Sequence, residues 1–130
     1  MHSKDMIIGI LIGVANCDIR VESNYRSNIG YQVKPRLQIR GEMKFLSDLQ
    51  RSLLQYNIVA KIKEIESKMR PILRITKIKD LKKICDMIPE SLADARNQWG
   101  EFRTVISIMN NKEHLTLEGL DKILMIKGLI

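Results

Sequence analysis

The sequence predicts an α+β fold with one four-stranded antiparallel sheet and its helices gathered on one face. Three observations carry that prediction. Residues 31–40, "YQVKPRLQIR", alternate strictly between apolar and polar side chains, the period of a strand with one buried face. Segments with helical periodicity flank that strand on both sides. The resulting order is helix, hairpin, helix, hairpin, helix, helix, helix. It fills the 130 residues as a single domain, with neither an internal repeat nor a low-complexity linker.

Residues 4–17 read as the first helix, with Ser3 and Asp5 as candidate caps. Residues 19–23 form a short alternating strand, and Asn28 and Gly30 mark the turn that follows. In the strand 31–40, Tyr31, Val33, Pro35, Leu37 and Ile39 share one face; Pro35 points to an edge or irregular position. Gly41 opens a helix over 42–55 with an apolar stripe of Phe45, Leu46, Leu49, Leu53 and Leu54. A second hairpin spans 58–66 and 70–76. A helix over 77–87 faces Leu81, Ile84 and Cys85 inward and is broken by Pro89. A longer helix over 94–110 carries Trp99, Phe102, Val105, Ile106 and Met109. Thr116 caps the last helix, 117–127.

The length suits one domain with its own core. The net charge of +7 and pI near 9.6 favour nucleic acid or an anionic surface as partner; a solvated lysine-rich surface is the alternative. Cys17 and Cys85 are far apart and lack metal-ligand spacing. Neither a zinc site nor a disulfide framework follows, and a reducing intracellular setting (cytoplasm or an organelle) is the simpler reading. The apolar run Met6–Ala15 is ten residues. A span needs roughly 20, so no membrane association is expected, and the run lacks the flanks of a signal peptide.

The polar face of the strand 31–40 is the most informative feature. Gln32, Lys34, Arg36, Gln38 and Arg40 are all long hydrogen-bonding side chains, and none is acidic. Arg20 in the preceding strand, Lys61 and Lys63 in the second hairpin, and Arg70 and Arg74 two steps apart extend the pattern. Arg pairs with guanine, Gln with adenine, and Lys neutralises phosphate. A two-stranded ribbon fits the major groove, and the scarcity of aromatics argues against single-strand stacking. Double-stranded DNA is the partner this face predicts.

The first helix is unusual. Gly9, Gly13 and Cys17 recur every four residues, a spacing that lets two helix backbones approach closely. A helical glycine costs about 0.5–1 kcal/mol relative to alanine, so a packing partner is expected there. In this region "LIGVANCDI", Leu11–Ile19, resembles a divergent LAGLIDADG motif. Leu11 matches its first Leu, Gly13 its first Gly, Cys17 the small residue before the last acid, and Asp18 that acid. Residues 29–39, "IGYQVKPRLQI", are similar to the second strand of the family, and "KEHLTLEGLDKI", 112–123, to a C-terminal segment of its members.

The resemblance is to the LAGLIDADG homing endonucleases. It implies an αββαββα core with extra C-terminal helices. One motif per chain implies a homodimer, packed through Gly9 and Gly13, on a roughly palindromic DNA site. It also implies Mg²⁺ or another divalent cation held by Asp18 and the Cys17 backbone carbonyl, with Gln38 ordering water near the metal. Ile19 stands where the motif ends in glycine, and "ADAR", residues 93–96, stands where the family often has a lysine pair. Aligning from the strand instead would put Asn16 at the metal position. A catalytically degenerate relative that binds DNA as a regulator or maturase-like factor is the alternative. His114 is read as ordering the turn before the last helix.

Overall fold

The structure, a computed structural model, describes residues 2–24, 26, 29–64, 70–92 and 97–128. Its elements are α1 (Lys4–Val14), β1 (Asn16–Ser23), β2 (Tyr31–Arg40), α2 (Met43–Leu54), β3 (Lys61–Lys63), β4 (Ile72–Ile75), α3 (Ile78–Met87), α4 (Gln98–Asn110) and α5 (Leu117–Lys127). Short 3₁₀ turns at Glu90–Leu92 and Glu113–Leu115 precede α4 and α5. The four strands form one antiparallel sheet in the order β1-β2-β4-β3. The α+β class and the αββαββα order with additional C-terminal helices are therefore observed. None of the described helices is long and apolar enough to cross a membrane.

The alternation in β2 sets the layers. Val33, Pro35, Leu37 and Ile39 are buried against α2, α3 and α4, together with Ile19 of β1 and Leu73 and Ile75 of β4. The helices contribute the side chains their periodicity promised. Leu46, Leu49 and Leu53 of α2 are buried, as are Leu81, Ile84 and Cys85 of α3 and Trp99, Phe102, Val105, Ile106 and Met109 of α4. Tyr31 and Leu54 lie at element ends and are exposed instead. Hydroxyl and amide caps fix three helix starts. Ser3 accepts from the Met6 N–H, Asn97 from Gly100 and Thr116 from Gly119.

Two boundaries differ from the sequence reading. The first helix stops at Val14 rather than residue 17, because Ala15 turns extended (φ −74°, ψ 142°) and Asn16 begins to pair with Gln38. Cys17 and Asp18 are thus strand residues, and Cys17 leaves the small-residue stripe for the inner face of β1. The second hairpin is shorter than expected, with pairing confined to 61–63 and 72–75. Residues 65–69 and 93–96, which include the expected strand end and helix start, lie outside the described residues.

Candidate nucleic-acid interface and metal corner

Antiparallel pairing places directly opposed residues on the same face of the sheet. On the outer face Asn16 lies opposite Gln38, Asp18 opposite Arg36, Arg20 opposite Lys34, and Glu22 opposite Gln32. Gln38 in turn opposes Arg74, which opposes Lys61, and Arg40 opposes Ile72, which opposes Lys63. The predicted row therefore becomes a two-dimensional grid. Arg20, Lys34, Arg36, Arg40, Lys61, Lys63 and Arg74 share it with two acids, Asp18 and Glu22. Arg70 is exposed just before β4 rather than inside the ladder.

The acids are what the strand pattern missed. The row in β2 has none, but β1 inserts two. Glu22 accepts from Lys34 at 3.0 Å and from Arg20 at 3.1 Å. The hydrogen bond and charge of Lys34 hold its carboxyl below the usual range. Asp18 Oδ2 accepts from Arg36 Nε at 3.0 Å, with both side chains about a third exposed. Gln32 is engaged by Asn24 at the turn. Arg74 differs from these. It makes no hydrogen bond or ion pair among the described residues, and its Nε is buried without a partner.

The corner where α1 meets β1 is held by a side chain the sequence did not single out. Gln98, at the start of α4, donates from Nε2 to the Ala15 carbonyl at 3.1 Å and accepts the Cys17 N–H at 3.2 Å. Its amide thus mimics a neighbouring strand along the free edge of β1. A strand residue directs its N–H and C=O to the same side, so the Cys17 carbonyl also faces that open edge. Beside it Val14, Asn16, Gln38 and Arg40 line a hollow of about 240 Å³. Asn16, not Asp18, is the cross-strand neighbour of Gln38.

The donor chemistry of this corner suits a hard cation. A carboxylate and a backbone carbonyl are oxygen ligands of the kind Mg²⁺ prefers. Asp18, the carboxylate that follows this corner in β1, does not line the hollow, and no group of three metal-ligating side chains occurs among the described residues. Mg²⁺ is usually held by one or two carboxylates together with substrate phosphates and waters, so a site here would require the release of Asp18 from Arg36. The Cys17 side chain turns to the inner face, opposite Leu37 and against the core, away from the face that carries Asp18, and burial, with the neighbouring Cys85, raises its thiol pKa. Burial likewise pushes the Cys85 thiol up to about 12.

The remaining expectations concern α1 and His114. Gly9 and Gly13 are exposed, and a Cβ at either would meet nothing within 4 Å. Exposed Met6 and Val14 flank them, while Ile7, Leu11 and Ala15 turn into the core. His114 sits in the 3₁₀ turn before α5, with Nδ1 buried and unpartnered and its pKa lowered by burial. The turn itself is closed by Thr116, whose hydroxyl donates to the Glu113 carbonyl at 2.7 Å.

No protein-family model matches the sequence, nor does any curated protein. Solved structures do match. The homing endonuclease I-TnaI superposes with a TM-score of 0.76 at 26% identity, over 96% of this chain and 85% of its own. The LAGLIDADG meganuclease I-CpaMI, bound to uncleaved DNA, gives 0.78 at 24% identity over 98% of this chain. The LAGLIDADG homing endonuclease I-SmaMI, bound to cleaved DNA, gives 0.77 at 22% identity over 97%. This chain spans 45% of I-CpaMI and 43% of I-SmaMI, so it corresponds to about half of each.

Proposed function

Because this chain has the fold of the LAGLIDADG homing endonucleases, we propose that it binds double-stranded DNA sequence-specifically through the outer face of its sheet. The observation that carries the reading is the grid itself. Arg20, Lys34, Arg36, Gln38, Arg40, Lys61, Lys63 and Arg74 lie in register on one face. Cations on such a surface neutralise phosphates, while Arg and Gln read base edges. A homodimer is the assembly we assign. Chains such as I-CpaMI are about twice this length. The exposed Gly9–Gly13 stripe of α1 leaves room for the same helix of a second copy. Isologous packing then presents two grids to a pseudo-palindromic site, in an intracellular compartment that contains DNA.

The activity we assign is hydrolysis of DNA phosphodiesters. Asp18 and the Cys17 carbonyl are the groups that would hold Mg²⁺, which when bound supplies an activated water and charge stabilisation. Gln98 keeps the Ala15–Cys17 backbone fixed, and Arg40 and Arg74 orient the duplex by its phosphates. Gln38 lies two residues from the partner of Asp18 and can hydrogen-bond a water or a base. A second reading, a relative that binds duplex DNA without cutting it, is favoured by one observation: the Asp18 carboxylate is engaged by Arg36.

One experiment separates the readings. The protein is incubated with a randomised duplex library with and without Mg²⁺, alongside Asp18→Asn. Cleavage that needs Mg²⁺ and vanishes in the variant supports the nuclease. Enrichment of bound duplexes without cleavage by either protein leaves the binder. No enrichment of any duplex removes both.

A further inference from the structure

A cleft of about 340 Å³ lies beside the sheet, within the range of about 300–1,000 Å³ typical of small-molecule sites. Its origin is topological. β2 runs from Tyr31 to Arg40, but β4 pairs with it only over Leu37–Arg40. Pro35 has no N–H to donate, and pairing toward β4 ends short of it. The edge of β2 around Val33–Arg36 is left uncovered. The cleft opens between that edge, Thr76 and Ile78 beyond β4, and Met109 of α4.

Because it lies at an edge, side chains from both faces of the sheet reach it. Val33 and Pro35 come from the inner face and, with Ile78 and Met109, make an apolar floor. Arg20, Lys34, Arg36 and Arg74 make a cationic rim, and among the described residues no acidic or aromatic side chain lines the cleft. Three of these cations already have carboxylate partners, Glu22 or Asp18. Arg74 has none among the described residues, and its buried Nε carries a desolvation cost that a bound acceptor would remove. A neutral apolar ligand would leave Arg74 unpaired. A bare phosphate would leave the floor in water.

We propose that this cleft binds a single nucleotide, with the phosphate on Arg74 at the rim and the base against the apolar floor. The nucleotide is either free or extruded from a bound duplex; the second source rests on the DNA-binding reading, the first does not.

The test uses dAMP, with inorganic phosphate and deoxyadenosine as controls, followed through the backbone amides by NMR. Saturable shifts at Val33, Lys34, Arg36 and Thr76 are expected, with dAMP binding more tightly than either control. Arg74→Gln should weaken dAMP by about tenfold, the size of one charge-assisted hydrogen bond. Thr76→Leu, made from an exposed position beside the cleft, should block it without touching the core and without offering a ring for the base to stack on. Binding of dAMP no tighter than that of phosphate, or unchanged in both variants, overturns the proposal. In a second arm, 2-aminopurine is placed along a duplex selected from the library. Since no aromatic side chain among the described residues lines the cleft, a base seated there escapes stacking and its fluorescence rises. A rise that Thr76→Leu suppresses while duplex affinity persists supports an extruded nucleotide. Saturable dAMP binding without a rise, or in a protein that binds no duplex, supports the free one.

Discussion

Asp18 is defined at the residue scale by one neighbour. Its Oδ2 is taken by Arg36 Nε in a pair about a third exposed on each side. Such a pair is worth at most about 1 kcal/mol after solvent screening, so a competing ligand can break it. A DNA phosphate near Arg36 is one competitor, and a divalent cation near Asp18 is another. Arg36→Gln removes the competition without changing the sheet. The variant should unfold within about 1 kcal/mol of the parent, yet bind Mn²⁺ more tightly in the absence of DNA, read by electron paramagnetic resonance. The gain should vanish in Arg36→Gln combined with Asp18→Asn. Equal Mn²⁺ affinity in parent and Arg36→Gln would count against Asp18 as a metal ligand. Cys17 stands beside it with a different role. Its thiol is held neutral by burial, and its backbone N–H is engaged by Gln98.

At the element scale, glycines separate what one chain requires from what an assembly would. A Cβ on Gly119 would land on the Glu113 carbonyl, at the crowded junction of the 3₁₀ turn and α5. Gly119→Ala should destabilise the fold by about 1–3 kcal/mol, as overpacking does, measured by urea unfolding. Gly9 and Gly13 face open space, so within one chain nothing there requires glycine. Gly13→Ala should leave the single chain intact or stabilise α1 by up to about 1 kcal/mol. Gly13→Leu should abolish dimer formation in sedimentation velocity if α1 packs against its twin. A Gly13→Leu chain that sediments like the parent removes the assigned interface.

The same elements show how much was legible beforehand. β2 and α5 have the boundaries the sequence predicts, because strict alternation and a Thr116 cap are local signals. The end of α1 was not legible. Ala15, Asn16 and Cys17 contain neither glycine nor proline; Asn16 and Cys17 are extended by pairing with Gln38 and Leu37 far along the chain, and the Ala15 carbonyl is taken by Gln98. For the same reason the cationic row was legible and its acids were not. Asp18 enters the face only because β1 begins at Asn16, and Glu22, which alternates with Arg20, meets the cations of β2 only through the register of β1 on β2. Gln98 carried no signal at all, since its role depends on α4 arriving beside the α1–β1 junction.

Across the whole molecule, the net charge of +7 is distributed with a purpose that can be measured. Glu22 neutralises Arg20 and Lys34 at one end of the grid, while Arg40, Lys61, Lys63 and Arg74 at the other end have no carboxylate partner among the described residues. Affinity for DNA should therefore come chiefly from the uncompensated end, with the Glu22 end contributing less than its cations imply. Glu22→Gln releases both cations. Each additional phosphate neutralised steepens the dependence of log K on log salt by about 0.9. The variant should show a slope steeper by about 1–2 per copy, and tighter duplex binding at low salt, by fluorescence anisotropy between about 50 and 200 mM salt. Stability should hardly change, since exposed pairs contribute about 0–1 kcal/mol. Arg74→Gln should move the slope the other way. An unchanged slope in Glu22→Gln, with a reduced slope in Arg74→Gln, would confine the duplex to the β3–β4 half of the sheet. Unchanged slopes in both would take the grid out of DNA contact altogether, since a phosphate-bound cation cannot be gained or lost without altering counterion release.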